Sequence, residues 1–325
     1  TPYYMLSEYV DVGYAYPWTR PPIEMYKLPL NNMDGLSLLY DFNIDEWKIG
    51  THAYIGEGFG EVAFLEGSFS LQNQGLALTA EYGSWLLFFG YSNSKIDVED
   101  IKPNGAFDRV VSGINDPNEG LKVQIDNVQG FTNISPIDML PTKGLDSTYM
   151  SAAFTYDNGR LLVMGEYANL EVEDFVLPAG DGGYLLVGYR FGKWMPHITY
   201  SKYYTDEKND QQIRAYIEGA KEFSAFSGSS AFLALANELE PLIQEQTSVT
   251  LGVVYDLNPR TKIKFDMSRY SSFGENNFYT LDGGDVASSK NDGFGIFGLS
   301  DDAMKNPSDI DSSATIYSLS IDSVF

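Results

Sequence analysis

The 325-residue chain contains no cysteine, only two histidines and no long apolar run. Without cysteine it has no disulfide framework, no thiol nucleophile and no thiolate metal site. Its longest apolar patch, residues 85–89, is far shorter than the roughly 20 residues that a membrane-spanning helix needs. These absences exclude a membrane-spanning helix, but they do not exclude a membrane barrel, whose strands are apolar on one side only.

Basic residues are also scarce, since 21 Lys and Arg stand against 45 Asp and Glu, which gives a formal net charge of −24. A nucleic-acid partner is therefore not expected, because phosphates need a basic surface. The acidity is explained by solvated loops, with divalent-cation binding as the alternative. Four loop regions are rich in Asp and Gly: 97–108, 171–181, 282–292 and 301–311. None has EF-hand spacing, so we expect no cofactor, with Ca²⁺ in these loops as the alternative.

The residues for catalysis are few. A Ser-His-Asp arrangement would have to use His52 or His197, and neither lies near a nucleophile motif such as G-x-S-x-G. Paired carboxylates occur by composition alone in so acidic a chain, so they do not indicate a glycosidase. We therefore expect that the protein is not an enzyme.

From Gly35 onward, apolar or aromatic residues alternate with polar ones, which is the two-residue period of a β-strand. Five hairpins repeat this pattern through short turns at residues 44–46, Gly83, 157–159, 192–193 and 258–259. The Asn-Gly pair in the third turn is a strong hairpin signal, because both residues of such a turn have positive φ. With the final stretch, 315–325, and a short stretch before Tyr9, we count about twelve strands.

Three connections between these hairpins are long, at residues 94–146, 205–246 and 271–313. Short turns therefore alternate strictly with long loops, as in an outer-membrane barrel with tight periplasmic turns and long extracellular loops. A soluble sandwich has no reason to sort its loops in this way. Residues 94–146 and 211–246 are candidates to fold into the barrel and narrow it. The second contains two pieces whose apolar residues have helical spacing, divided at Gly228. For this region we favour a helical cap that packs on its own loop over a plug in the pore.

Aromatic residues collect at both ends of the predicted strands. The residues on the apolar face nearest the short turns and the C-terminus are Phe42, Trp47, Tyr82, Trp85, Tyr156, Leu161, Phe191, Trp194, Leu257, Ile263 and Phe325. At the opposite strand ends Tyr91, Tyr167 and Tyr200 recur. Two such rings are typical of the two membrane–water boundaries. The alternative, rings that close the ends of a soluble β-core, is less favoured because a soluble core gathers its aromatic residues centrally.

The hairpins, the two aromatic rings and the terminal Phe325 together resemble a Gram-negative outer-membrane porin over residues 35–325. The opening TPYYMLSEYVDVGYAYPWTRPP also resembles a porin-like segment that follows further N-terminal strands. The resemblance implies an all-β, transmembrane antiparallel β-barrel, one domain over residues 1–325, with about sixteen strands in the full protein. No signal peptide is visible at Thr1, so we expect that it was removed or that the sequence begins inside the mature protein.

The resemblance also implies a function. It predicts a water-filled pore in the cell outer membrane that passes small hydrophilic solutes and ions by diffusion. It further implies a homotrimer in contact with the lipid bilayer and lipopolysaccharide. One alternative is a barrel that acts as a receptor or adhesion platform through its long acidic loops. A more distant alternative is a secreted β-rich carbohydrate-binding protein.

The strand alternation predicts which charged residues face the pore. They are Lys48, His52, Arg190, His197, Lys262 and Lys264 on the basic side and Asp41, Glu81, Glu166, Asp266 and Asp322 on the acidic side. Opposed charges across a wet channel bias which ions pass. The porin resemblance favours Arg190, Lys262 and Lys264, and Arg20 joins them if the proline-rich loop at residues 12–26 folds inward. For each residue a merely solvated wall position stays open. The overall acidity predicts a mild preference for cations.

Overall fold

A computed structural model shows one antiparallel sheet of eleven strands in sequential order. It describes residues 5–6, 13–22, 25, 33–62, 67–99, 143–173, 179–227, 245–271 and 313–324. The strands are β1 (Asp34–Ile44), β2 (Trp47–Val62), β3 (Gly67–Tyr82), β4 (Trp85–Glu99), β5 (Leu145–Asp157), β6 (Leu161–Val172), β7 (Gly180–Tyr189), β8 (Trp194–Thr205), β9 (Glu245–Asn258), β10 (Thr261–Ser271) and β11 (Ser313–Ser323). The predicted all-β antiparallel fold is confirmed.

The stretch before Tyr9 was predicted to end a strand. Within it the structure describes only Met5 and Leu6, which lie in a turn. The described part of the chain therefore has eleven strands rather than about twelve.

All five short turns lie where the sequence predicts them. The Asn158-Gly159 turn differs in kind, because Gly159 has a positive φ of 86° and Asn158 does not. Three residues, 158–160, separate the two strands. The Asn158 side chain closes this loop by accepting hydrogen bonds from the N–H groups of Arg160 and Leu161 at 3.0 and 2.8 Å. The location was predicted correctly and the turn type was not, because the loop has three residues and the Asn158 side chain adds its hydrogen bonds to the backbone one from Asn158 N–H to the Leu161 carbonyl.

The connections at the opposite end of the sheet are not all long. Residues 100–144 separate β4 from β5, but only residues 63–66 separate β2 from β3, and 173–179 separate β6 from β7. The predicted strict alternation of short turns with long loops is therefore wrong. β2 and β3 have 16 residues each and stay paired as far as Val62 and Gly67, so this hairpin extends itself by strand pairing where a loop was expected.

One helix, α1 (Glu207–Ser227), lies between β8 and β9. It confirms the first predicted helical piece, and the predicted break at Gly228 lies outside the described residues. The Asp206 carboxylate caps its N-terminus by accepting hydrogen bonds from the N–H groups of Lys208 and Asn209. The second predicted piece lies outside the described residues. Among the helical residues that the structure describes, none forms a helix long and apolar enough to cross a membrane.

The two faces of the sheet differ in composition. One face, which we call the outer face, bears Trp194, Phe265 and Leu319, whose exposed fractions are 47%, 43% and 72%. In the described strands, the outer face between the two aromatic rings carries no Asp, Glu, Lys or Arg. So large an uncharged and exposed apolar surface is unfavourable in water and favourable in lipid.

The aromatic rings at the two ends of this surface are confirmed. At the short-turn end, aromatic side chains pair across strands as Trp47–Tyr82 at 5.0 Å, Trp85–Tyr156 at 4.8 Å and Trp194–Tyr255 at 4.5 Å between ring centroids. At the other end Tyr91, Tyr167 and Tyr200 are exposed. From Trp85 to Tyr91 is about 20 Å along the strand, at about 3.3 Å per residue. This distance is shorter than the apolar band of outer-membrane barrels, which is about 25 Å tall and is crossed by tilted strands. Phe325 lies outside the described residues.

Strands β1 and β11 form the two edges of the sheet. Both lead toward the short-turn end, because β1 pairs with β2 through Ile44 and Trp47 and β11 pairs with β10 through Ser323 and Thr261. Two edges that run in the same direction do not pair as antiparallel neighbours. These eleven strands therefore do not close by antiparallel pairing with one another.

Lipid contact with the outer face is tested by Ile198→Lys, which places a charge between Trp194 and Tyr200 on an exposed outer-face site. We expect the free energy of unfolding, measured by urea titration in lipid vesicles, to fall by about 2–4 kcal/mol. Thr247→Lys is the control, because Thr247 lies on the same face beyond the Tyr200 level, next to Lys202. It is expected to cost no more than about 1 kcal/mol. Equal losses for the two variants would contradict lipid contact.

Candidate functional site on the inner face

The opposite face of the sheet, which we call the inner face, is packed over much of its width. Its buried apolar cluster joins Met5, Leu6, Tyr16, Trp18 and Met25 to side chains of seven strands. The strand residues are Ala77, Phe88, Tyr149, Ala153, Leu162, Met164, Ala168, Tyr184, Leu186, Met195 and Val254. The inner face from β3 to β9 is therefore a hydrophobic core, which the sequence alternation did not predict.

The chain that completes this core is the inward segment, residues 13–22. Its Trp18 is fully buried, and the indole Nε1 donates a hydrogen bond to Thr199 Oγ1 at 2.7 Å. The indole also meets the Tyr184 ring edge-on, with 5.3 Å between centroids. Pro17, Pro21 and Pro22 have no N–H to leave unpaired. These residues therefore allow an irregular backbone to lie against the sheet.

Lys264 is the main polar anchor of the inward segment. Its side chain is fully buried, and its ammonium group donates hydrogen bonds to the carbonyl oxygens of Gly13 and Trp18, the latter at 2.9 Å. The third partner is the Asp322 carboxylate, 3.0 Å away. An ammonium has three donors, so each has a partner. Because both its charge and its hydrogen-bonding needs are met, the buried lysine is tolerated.

Lys262, two residues earlier on β10, contacts the start of the same segment. Its ammonium donates a hydrogen bond to the carbonyl oxygen of Tyr14 at 3.1 Å and lies 4.2 Å from the centroid of the Tyr14 ring. The Tyr14 hydroxyl in turn donates to the carbonyl oxygen of Pro259 at 2.7 Å. A cation over an aromatic face is attracted by the ring quadrupole. The two lysines therefore hold both Tyr14 and the backbone around it.

Asp266 holds the other end of the inward segment. Its Oδ2 accepts hydrogen bonds from the backbone N–H and the hydroxyl of Thr19, at 2.6 and 2.8 Å. Its Oδ1 lies 3.4 Å from Nε2 of His197, and both side chains are buried. Further along the sheet, Glu166 accepts a hydrogen bond from the N–H of Met5 at 2.8 Å.

The remaining predicted residues lie in a more open part of the inner face. Lys48 and Glu81 face each other at 3.6 Å, with side chains 60% and 51% exposed. Asp41 is exposed, and His52 lies edge-on to Tyr54 with 5.9 Å between ring centroids. Near the short turns, Arg190 binds Asp157 through two hydrogen bonds of 2.7 and 2.9 Å.

The structure thus divides the predicted pore-lining residues into two groups. It brings His197, Lys262, Lys264 and Asp266 together beneath the inward segment, and it places Asp41, Lys48, His52 and Glu81 on the open side formed by β1–β3. Arg20 was included on the condition that the proline-rich loop folds inward. It lies on the inward segment, and its side chain is exposed. Pore lining itself stays a prediction for every one of these residues.

Sequence reasoning missed the partners of the charged residues. Tyr14, Trp18, Thr19 and Thr199 make the contacts that hold the segment. A signal was present in the run PWTRPP, because three prolines beside a tryptophan suit a rigid, buried irregular strand better than a surface loop. The strand residues that receive it could not be found, since they lie about 180 or more positions away.

In the acidic loop at residues 171–181, one described carboxylate makes internal contacts. Asp181 is buried and accepts hydrogen bonds from the Tyr167 hydroxyl and, at 3.3 Å, from the Asn169 amide. Across the described residues no group of three or more His, Cys, Asp or Glu side chains is arranged to hold a metal ion. The loops at 282–292 and 301–311 lie outside the described residues, as does most of 97–108.

Comparison with known proteins assigns the chain to no family. No protein-family model and no curated protein matches the chain. A solved structure of an anion-selective porin from Comamonas acidovorans is similar, with 10% identity and a TM-score of 0.37 over 72% of this chain and 48% of the porin. OmpT, an outer membrane protein of Vibrio cholerae, has 14% identity and a TM-score of 0.38 over 72% of this chain and 53% of OmpT.

Salmonella typhi OmpF, solved with daunomycin, has 16% identity and a TM-score of 0.39 over 85% of this chain and 62% of OmpF. The chain thus spans about half the length of the first two of these structures. The first of the three is a porin and the second an outer-membrane protein. The TM-scores are low, so the fold assignment depends on the sheet itself.

The role of Lys264 is tested by Lys264→Met, which keeps the stem and removes the ammonium. The carbonyl oxygens of Gly13 and Trp18 then lose their donor and Asp322 loses its cation. We expect a loss of about 3–5 kcal/mol in the free energy of unfolding, with chymotrypsin cleavage inside residues 13–22. Lys48→Met is the control, because its exposed ion pair is worth no more than about 1 kcal/mol. Similar losses for both variants would show that the segment is not anchored through Lys264.

Proposed function

We propose that the protein is an outer-membrane channel for passive diffusion of small hydrophilic solutes and ions, narrowed by its own inward segment. The main support is the sorting of the sheet into an outer face with no charged side chain between its aromatic rings and an inner face with many. A surface of the first kind suits lipid, and charged groups on the other side require water or partners.

The open side of the inner face is the proposed path for solutes. Asp41, Lys48 and Glu81 are exposed there, near the short turns of β1–β3. The inner face from β4 to β10, together with Ala77 of β3, is filled by the hydrophobic core and the inward segment. Solutes are therefore selected first by the width of the path that the inward segment leaves open, and then by the charged side chains that line this path.

Arg20 is the cation of the inward segment best placed to meet a solute. Its side chain is exposed, and it makes no hydrogen bond or ion pair with the described residues. Its neighbours Trp18, Pro21 and Pro22 are buried, so the backbone that carries it is fixed. We propose that Arg20 offsets the acidity of the wall, while the channel as a whole keeps a mild preference for cations.

Passage by diffusion needs no cofactor and no covalent chemistry. The proposed function is therefore not an enzymatic one. We further propose a homotrimer surrounded by lipid and lipopolysaccharide, as the porin resemblance implies.

The second candidate function is a receptor or adhesion platform. The filled part of the inner face favours it, because a lumen that is fully blocked leaves only the loops to act.

Conductance in a planar lipid bilayer separates these two functions. We expect discrete steps with a modest cation preference, measured as a reversal potential in a salt gradient. A folded, inserted protein without conductance would overturn the channel and favour the receptor.

Arg20→Gln is expected to shift the reversal potential toward stronger cation preference, because it removes a positive charge from the path. Arg160→Gln is the matched control, since Arg160 is exposed in the short turn between β5 and β6. An unchanged reversal potential in Arg20→Gln, in a channel that conducts, would remove Arg20 from the path.

A further inference from the structure

A notch in the inner face lies at Gly252 on β9. Gly252 pairs with His197 of β8 on one side and with Asp266 of β10 on the other. The three residues therefore stand in a row on adjacent strands, and the outer two backbones are about 10 Å apart at about 4.8 Å per strand. Side chains at that separation do not normally meet, because the side chain of the middle strand stands between them.

The missing side chain of Gly252 lets the outer two side chains meet. His197 Nε2 and Asp266 Oδ1 lie 3.4 Å apart above the glycine. A Cβ atom at position 252 would overlap with both Asp266 Oδ1 and the His197 ring. Glycine weakens a strand interior, and here its backbone φ is not in the left-handed region. The reason for glycine at this position is therefore space, and the space is filled by the His197–Asp266 contact.

This contact orients the carboxylate that holds the inward segment. Asp266 uses Oδ1 toward His197 and Oδ2 toward the N–H and hydroxyl of Thr19. Oδ1 is confined beside the His197 ring, where neither Oδ1 nor Nε2 makes a hydrogen bond, and this leaves Oδ2 aimed at Thr19. Lys264 and Asp322, on the same side of the sheet, already satisfy each other and the backbone of Gly13 and Trp18, so they leave Asp266 to Thr19.

We propose that Gly252, His197 and Asp266 form a positioning device that fixes the inward segment at Thr19 and thereby sets the position of Arg20 and the width of the open path. Within the described residues, Thr19 has no other side-chain anchor of this kind, and Arg20 follows it directly. The inference deepens the proposed function and rests on it for its consequence in conduction, but the anchoring itself is independent of conduction.

The test is Gly252→Ala, with Gly188→Ala as the matched control. Both are glycines of central strands on the inner face, and both pair with His197. At Gly188 an added Cβ would lie 3.4 Å from His197 Cβ and 3.6 Å from Met195 Cγ, which is ordinary contact. At Gly252 it would displace the His197–Asp266 pair. The two variants therefore differ in the notch and not in the type of substitution.

Two measurements are made on each variant in lipid. Chymotrypsin cleavage within residues 13–22 reports release of the segment, and single-channel conductance reports the open path. We expect Gly252→Ala to be cleaved on the order of tenfold faster, as loss of one hydrogen bond from Thr19 to the Asp266 carboxylate predicts. It should also show larger or noisier steps, and Gly188→Ala should match the unmodified protein in both measurements. Equal cleavage and conductance in the two variants would overturn the proposal.

Failure of the proposed function gives a different pattern. If no form conducts but Gly252→Ala is still cleaved faster, the channel is wrong and the anchoring stands. If Gly252→Ala does not fold, Thr19→Val removes one bond to Asp266 without filling the notch, and Thr19→Ser keeps it. Faster cleavage in Thr19→Val than in Thr19→Ser, with unchanged urea midpoints, supports the proposal, and no difference between them overturns it.

Discussion

The buried ammonium group of Lys264 is the interaction on which the inner face depends. A charge removed from water is costly unless every donor is paired, and Lys264 meets this condition only with the backbone of Gly13 and Trp18 in place. The inward segment and the lysine therefore require each other. Without the segment, the lysine and the hydrophobic core around Trp18 would face water together, so segment and sheet are expected to form as one unit.

The outer face is governed by a different constraint. Its side chains touch no other described layer, so their pattern is set by the surroundings and reads directly from the sequence. A two-residue period with aromatic residues at both strand ends was enough to predict the strand positions, the five hairpin turns and the side on which Trp194 and Phe265 lie. Contacts between neighbours on a hairpin are local, and local contacts follow from local sequence.

The inner face could not be predicted to the same extent. The alternation assigned Lys264, Asp266 and His197 to the correct side, but it carried no information about what covers them. Lys264 bonds to Trp18, and Asp266 bonds to Thr19. Both partners lie nearly 250 positions away in the sequence. The prediction also failed at the connection from β2 to β3, where a loop was expected. Polar strand ends such as residues 68–75 resemble loop sequence once they extend beyond the apolar band.

In the proposed channel, part of the interior is filled by side chains, and this affects how charged groups act on a passing ion. Charges under the inward segment are paired at short range, so they contribute little to the field that a passing ion meets. Charges on the open side, such as Lys48 and Glu81, are screened by dissolved salt over about 10 Å at ordinary ionic strength. Under the proposed function, selectivity then depends on the few groups at the boundary between the two regions. Arg20 is such a group, and its position is only as well defined as the bonds of Asp266 to Thr19 make it.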